Sequence, residues 1–235
     1  MNHKFIITID GPAGSGKTTV SRLLAQHIGC TYVDTGALYR GIALAAHRAG
    51  ISPENENALK FLCQTLHLCF VRKENGVRLL LNSEDVSDLI RSPEMSMMAS
   101  AVSAKAAVRD FLLHVQRNMT DEKGLVFEGR DMGTVVFPDA DLKFFLHGDL
   151  KVRAARRYRE LRNKTGITAE AVEKDMEKRD HNDSSRAIAP LRPAEDAICI
   201  DTSALSVSQV VEQILNMVSQ VKGNLKKNSA EDQIR

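Results

Sequence analysis

Gly11-Pro12-Ala13-Gly14-Ser15-Gly16-Lys17-Thr18 has the spacing G-x-x-x-x-G-K-[ST]. It follows the apolar run Phe5–Ile9 and opens a helix with Val20, Leu23, Leu24 and Ile28 on one face, which stops at Gly29. Strand, glycine-rich turn and amphipathic helix in that order are the context that gives the motif meaning. Glycines let successive backbone N–H groups converge on a phosphate without Cβ clashes, and a helix N-terminus adds partial positive charge. Gly11 to Thr19 is therefore expected to bind the phosphates of a nucleotide, with Lys17 reaching the β- and γ-phosphates and the Thr18 hydroxyl ligating Mg²⁺, though the loop alone does not separate a kinase from an ATPase, GTPase or motor.

Working outward from that loop, four more short apolar runs read as buried strands: Thr31–Val33, Leu125–Phe127, Leu142–Leu146 and Ala197–Ile200. Helical patterns lie between several of them, which implies a parallel sheet covered on both faces. The last helix begins with Ser206 and Gln209 in capping-box spacing and carries Val207, Val210, Val211, Ile214, Met217, Val218 and Val221 as its expected core stripe. One segment breaks the alternation. Leu68–Val71 and Val77–Leu81 flank the turn signal Glu74-Asn75-Gly76, which predicts an antiparallel hairpin inserted between the second and third parallel strands. The chain from about Lys222 is polar and is expected to fray.

The 235 residues are 43% hydrophobic and 26% charged, enough for one core of ordinary size and unlike a disordered chain. No apolar run reaches about 18 residues, so no membrane-spanning helix is expected, and Met1 to Asp10 shows no secretory pattern. Trp is absent and Tyr occurs three times, which argues against an aromatic platform for single-stranded nucleic acid. Cys30, Cys63, Cys69 and Cys199 form no C-x-x-C pair and read as reduced thiols of a cytoplasmic protein. Charge is unevenly spread. Between Lys151 and Arg192 stand twelve Lys or Arg against seven Asp or Glu, a local +5 in a chain of net +2. Concentration of that kind suggests a local anionic ligand.

Two further loops follow strand ends, where open α/β sheets place their ligands. They are Asp34-Thr35-Gly36-Ala37-Leu38-Tyr39-Arg40 and Glu128-Gly129-Arg130-Asp131-Met132-Gly133-Thr134. Each supplies an arginine, whose planar fork suits a phosphate. Asp149 is a plausible N-cap for a helix bearing Arg153, Arg156 and Arg157 on one face, read either as a solvated face or as a lid bringing charge onto a triphosphate. Beyond it, Arg179-Asp180-His181-Asn182-Asp183-Ser184-Ser185-Arg186 adds two arginines and a carboxylate able to accept from ribose hydroxyls.

Together GPAGSGKTT, DTGALYR, EGRDMGT, RDHNDSSRAIAPL and IDTS resemble bacterial cytidylate kinases, over about Ile6 to Val221. The resemblance implies a P-loop, adenylate-kinase-like α/β fold around a five-stranded parallel sheet. It also implies a single domain with core 1–34, 110–150 and 190–222, a monophosphate-binding region over 35–109, a short lid over about 153–186 and a tail over 223–235. It implies phosphoryl transfer from ATP, with Mg²⁺, to CMP or dCMP. Thr35, Arg40, Arg130 and Arg186 would bind the acceptor phosphate, Arg179 and Asp183 the ribose, and Ser100, Arg109 and Asp131 the cytosine. Ser103 rivals Ser100 in a degenerate stretch, and Asp131 has the alternative reading of a metal ligand at a strand end. Thr35 stands where Ser is common in that family, and Glu128 where some members carry Asp. Lys17, Arg130, Arg153 and Arg157 are the candidates for stabilising charge on the transferring group. A monomer acting on small molecules, without nucleic acid or membrane, is the expected setting. A same-fold kinase for another monophosphate or small acid, and a non-enzymatic nucleotide switch, are the rival readings.

Overall fold

Ile7 and Ile9 are fully buried in the strand that ends at the glycine-rich loop. That strand, β1 (Ile6–Asp10), is the middle of a five-stranded parallel sheet in the computed structural model, which describes residues 5–73, 76–119 and 123–232, without the side chains of 163–165 and 222–232. β6 (Leu125–Gly129) and β7 (Leu142–His147) flank it, with β2 (Thr31–Asp34) outside β6 and β8 (Ile198–Asp201) outside β7. Five apolar runs thus become five parallel strands, as predicted. Each extends at least one residue beyond its run at the C-terminal end, because the ladder uses main-chain groups and is indifferent to side-chain polarity. Asp10, for instance, still pairs with Gly129 and Phe145. This places Asp10, Asp34, Glu128 and Asp201 at strand ends on one edge of the sheet.

Side chains alternate across the sheet and bury both faces. Ile7, Ile9, Val126 and Phe144 pack with α1 (Lys17–Ile28) and α8 (Val207–Asp232). On the other face Val33, Leu125 and Phe127 pack with Met132 and Val136. In α8, Val210, Val211, Ile214 and Val218 are buried as the stripe predicted, but Val207 is 40% exposed at the helix start. Ser206 and Gln209 form the expected reciprocal cap, Gln209 N donating to Ser206 Oγ at 3.3 Å and Ser206 N to Gln209 Oε1 at 2.9 Å. The helix continues to Asp232, past Lys222 where the polar sequence predicts fraying, since once nucleated a helix propagates at little cost through residues of good propensity.

A second core lies between β2 and β6. α2 (Thr35–Arg48), α3 (Glu56–Thr65), α4 (Pro93–Val102) and α5 (Ala106–Arg117) bury Leu38, Ile42, Leu59, Ile90 and Leu112 together. The inserted hairpin is present as β3 (Leu68–Lys73) and β4 (Gly76–Leu81), its predicted turn residues Glu74 and Asn75 falling outside the described residues. A short third strand, β5 (Glu84–Asp85), adds to β4 and makes a three-stranded sheet. The predicted lid is a pair of packed helices, α6 (Leu150–Thr165) and α7 (Ala169–Ser185), capped by Asp149 and Thr168, with their own small core of Ala154, Leu161, Val172 and Met176.

Candidate active site

The glycine-rich loop has the backbone its glycines predict. Gly11, Gly14 and Gly16 have φ values of 145, 71 and 89°, where L side chains are strained. At Gly11 a Cβ would lie 1.9 Å from Leu146 O, so the loop can pass β7 only without a side chain. Lys17 is buried and donates to Pro12 O at 2.6 Å. Burial, and then the charge of Arg130, hold its pKa well below the ordinary lysine value, with Glu128 and Asp10 opposing. A polyanion in the loop would relieve both effects.

Across 110 positions of chain, Thr18 Oγ1 donates to Glu128 Oε1 at 2.6 Å, and Tyr32 Oη donates to Glu128 Oε2 at 2.6 Å. Burial and the nearby Asp34 raise the Glu128 pKa, with Lys17 opposing. The motif reading passed over Glu128 and Tyr32 as site residues. The available signal was a carboxylate at the C-terminal end of the strand beside β1. Asp131, whose alternative reading was metal ligation, has other partners.

Thr35 opens α2, whose N-cap Asp34 accepts from Ala37 N at 3.0 Å and pairs with Arg40 Nη2 at 2.9 Å. Thr35 Oγ1 donates to Glu128 O at 2.6 Å, so it must rotate before it can donate to a phosphate.

Arg130, Arg179 and Arg186 converge on two carboxylates. Arg130 Nε donates to Asp183 Oδ2 at 3.1 Å, and Arg179 Nε stands 3.8 Å from the same oxygen, too far for a hydrogen bond. Ser100 Oγ donates to Asp183 Oδ1 at 3.2 Å. Burial pushes the Asp183 carboxyl up, but the three surrounding arginines outweigh it and hold its pKa below the usual value. Arg186 lies 3.5 Å from Asp131 and donates to Ser103 Oγ at 3.3 Å. Arg109 pairs with Asp131, donates to Ser103 O at 3.1 Å and has its charge 5.8 Å from the Tyr39 ring. Ser100 and Ser103 therefore both belong to the cluster, Ser100 on the Asp183 side and Ser103 on the Arg186 side. Burial raises the Asp131 pKa, against the charges of Arg109 and Arg186. Burial and Arg130 lower that of Arg179 to about 10. Arg40 Nε, Arg179 Nε and Arg186 Nη2 are buried without a hydrogen bond, a surplus of donors that fits an anionic ligand.

The lid arginines do not act as one face. Arg153 is buried, donating to Ala13 O at 2.9 Å, Gly148 O at 2.8 Å and Asp180 Oδ2 at 2.6 Å, and it is not among the residues lining the cavity. Arg156 donates to Thr202 Oγ1 at 3.1 Å, and Arg157 to Glu160 at 2.7 Å. Within little more than one turn, the helix points these side chains at three different neighbours, which the spacing alone does not show.

All the loops open onto one cavity of about 740 Å³. It is lined by Gly14 to Thr19 of the phosphate loop, by Thr35, Gly36, Arg40, Ser100, Ser103, Arg130 and Asp131, by Arg157, Arg179, Asp183 and Arg186, and by Thr202, Leu205, Ser206 and Val207 with Arg156.

A family model described as cytidylate kinase matches residues 7–220. A cytidylate kinase of Syntrophotalea carbinolica is 48% identical over 221 residues, covering 94% of each chain. One from Geobacter sulfurreducens is 47% identical over 214 residues, 91% of this chain and 92% of that one, and one from Pasteurella multocida is 43% identical over 222 residues, 94% and 97%. Among solved structures, a gluconokinase from Sinorhizobium meliloti overlaps 96% of this chain and 98% of its own at 15% identity and a TM-score of 0.48. Matches of such extent to the curated relatives run through every segment that builds the cleft, and the chain belongs to the cytidylate kinase family.

Proposed function

We propose that the cleft transfers a phosphoryl group from ATP to CMP or dCMP, giving ADP and CDP or dCDP. The observation that carries this is the placing of buried, incompletely hydrogen-bonded arginines opposite a glycine loop in one cavity, in a chain of this family. The donor phosphates would take the loop amides of Gly11 to Thr19 and the Lys17 ammonium. The acceptor phosphate would take Arg40, Arg130 and Arg186 and, after rotation, Thr35. Asp183 and Arg179 would hold the ribose, with Ser100 against Asp183. Asp131, backed by Arg109, would accept from the cytosine amino group.

At pH 7 the acceptor phosphate, with a second pKa near 6, is mostly dianionic, so no strong base is needed. The barrier is repulsion between two anions. Lys17, Arg130 and Arg157 neutralise them and hold attacking and leaving oxygens in line, and the charge spread over the loose transition state meets donors already in place. Arg153 contributes by fastening α6 to the glycine loop rather than by touching phosphate. Thr18 and Glu128 offer hard oxygens to Mg²⁺, a donor set that fits an ion completed by water and nucleotide phosphates. Held there by Thr18 and Glu128, such an ion would supply positive charge against the charge that develops on the transferring phosphoryl group.

The domain division of the core, 35–109 and the paired lid helices is part of this proposal, as are a monomeric state, a cytoplasmic setting and the absence of nucleic-acid partners. No helix among the described residues is long and apolar enough to cross a membrane. The test is a product screen with Mg-ATP and CMP, dCMP, UMP, AMP and shikimate. Phosphorylated CMP and dCMP with little product from AMP and shikimate is expected. Product from another acceptor and none from CMP would overturn the proposal.

A further inference from the structure

Met132–Val136 is wound as a π-turn, with Val136 N donating to Asp131 O at 3.2 Å and Phe137 N to Met132 O at 2.7 Å. Turns of this width are rare and recur where a side chain must be aimed. Two side chains with no part in the phosphoryl-transfer scheme fasten its ends. At the start, Asp10 accepts from Met132 N at 2.9 Å through Oδ1 and from Gly133 N at 2.8 Å through Oδ2. At the finish, Arg117 on α5 donates to Val136 O through Nε and to Val135 O through Nη2, both at 2.9 Å.

The surroundings leave this turn little freedom. A Cβ at Gly133 would lie 3.0 Å from Thr8 Oγ1 and 3.2 Å from Lys143 Cδ, so the turn sits directly on the sheet. Asp10 is 5% exposed, and it both ends the strand leading into the phosphate loop and pairs with Gly129, the residue before Arg130. Its carboxylate therefore joins the origin of the donor loop to the first amides after Asp131.

We propose that Asp10 and Arg117 are positioning residues that clamp the two ends of the π-turn, hold the Asp131 carboxylate at the height of the cytosine amino group, and so set the preference for cytidylate over uridylate. This rests on the reading of Asp131 as the residue that meets the base. A single bidentate contact discriminates by roughly ten- to 150-fold, and a shift of about 1 Å is enough to forfeit it. Arg117 touches neither substrate, so its loss should leave the donor side alone, whereas the charge of Asp10 also acts on Lys17.

Asp10→Asn keeps the volume but turns an NH₂ toward one of the two amides. Arg117→Gln removes both donors from a side chain that is largely in solvent. For each variant, kcat/KM for CMP and for UMP, KM for ATP and the melting temperature are measured. A CMP:UMP ratio lowered at least about tenfold, the lower bound for one such contact, is expected in both, through a raised KM for CMP, with KM for ATP little changed in Arg117→Gln. Arg117→Lys should recover part of the ratio. An unchanged ratio in Arg117→Gln, whatever happens to melting temperature, would reduce the clamp to a packing feature and overturn the proposal. Asp131→Asn is run alongside. If its ratio also stays at the wild-type value, the reading of Asp131 is what failed and the clamp falls with it. If the ratio drops in Asp131→Asn alone, only the clamp fails.

Discussion

Thr18 and Glu128 meet at 2.6 Å although 110 positions of chain separate them. One opens the helix of the phosphate loop and the other closes the neighbouring strand, so the parallel pairing of β1 with β6 creates the contact. Tyr32, from β2, holds the second oxygen of the same carboxylate. Three adjacent strands thus converge on one pair of hard oxygen donors.

Glu128→Gln keeps that shape and removes the charge. The concentration of Mg²⁺ giving half-maximal turnover should rise about ten- to 100-fold, the usual consequence of losing a group that tunes a metal site. Titration of activity with Mg²⁺ at fixed ATP checks this. A superimposable titration curve would show that Glu128 has no part in holding the ion.

Lys17→Ala should lower turnover by at least about 100-fold, the scale of losing one transition-state donor. The acceptor side of the cleft is built from other residues, so CMP affinity measured by calorimetry should stay close to wild type. Near-normal kcat would remove Lys17 from the mechanism.

Arg153 and Arg157 should separate cleanly. The Arg153–Asp180 pair has side-chain exposures of 8 and 20%, while the Arg157–Glu160 pair has 33 and 62%. Removing one partner of a largely buried pair strands the other, so Arg153→Met should cost about 3 kcal/mol in stability and raise amide exchange along α6. Arg157→Ala should cost under about 1 kcal/mol, so a fall in its turnover reports on phosphate charge rather than folding. Equal melting temperatures for the two variants would contradict this division.

Asp10 carries a pH signature. Burial raises its pKa from 3.8 to about 6, against two backbone hydrogen bonds that lower it. The native state then binds a proton that the unfolded chain releases between these values, so stability falls as pH rises from about 4 to 6 and the charge penalty is complete above that. Roughly two pKa units correspond to a swing of about 3 kcal/mol. Urea unfolding of the wild type and Asp10→Asn between pH 4 and 7 should show the difference between them changing in this direction. Parallel stability curves for the two proteins would mean that Asp10 titrates like an exposed carboxylate.

Much of the fold was legible because local rules carried it. The glycines of the loop, the apolar runs of β1, β2, β6, β7 and β8, the capping box at Ser206 and Gln209 and the inserted hairpin all depend on neighbours in the chain. What the spacing left open has a common cause. Arg153, Arg156 and Arg157 share helical spacing, yet where each guanidinium ends is set by Ala13, Thr202 and Glu160, groups the spacing does not contain. Ser100 and Ser103 are alike in sequence and are told apart only by Asp183 and Arg186 folding back from α7 and beyond it.

By itself the sequence determined the class of sheet, the phosphate loop and, through its motif blocks, the family. Those depend on periodicity, on residues that permit positive φ and on short words of adjacent residues. Only the tertiary structure decided that Thr18 meets Glu128, that Arg153 reaches Ala13 and Asp180, and that Asp10 and Arg117 bond to the turn behind Asp131. Each of these is a contact between segments brought together by strand pairing and helix packing, and a hydrogen bond of about 3 Å depends on where its two ends lie in space, whatever their distance along the chain.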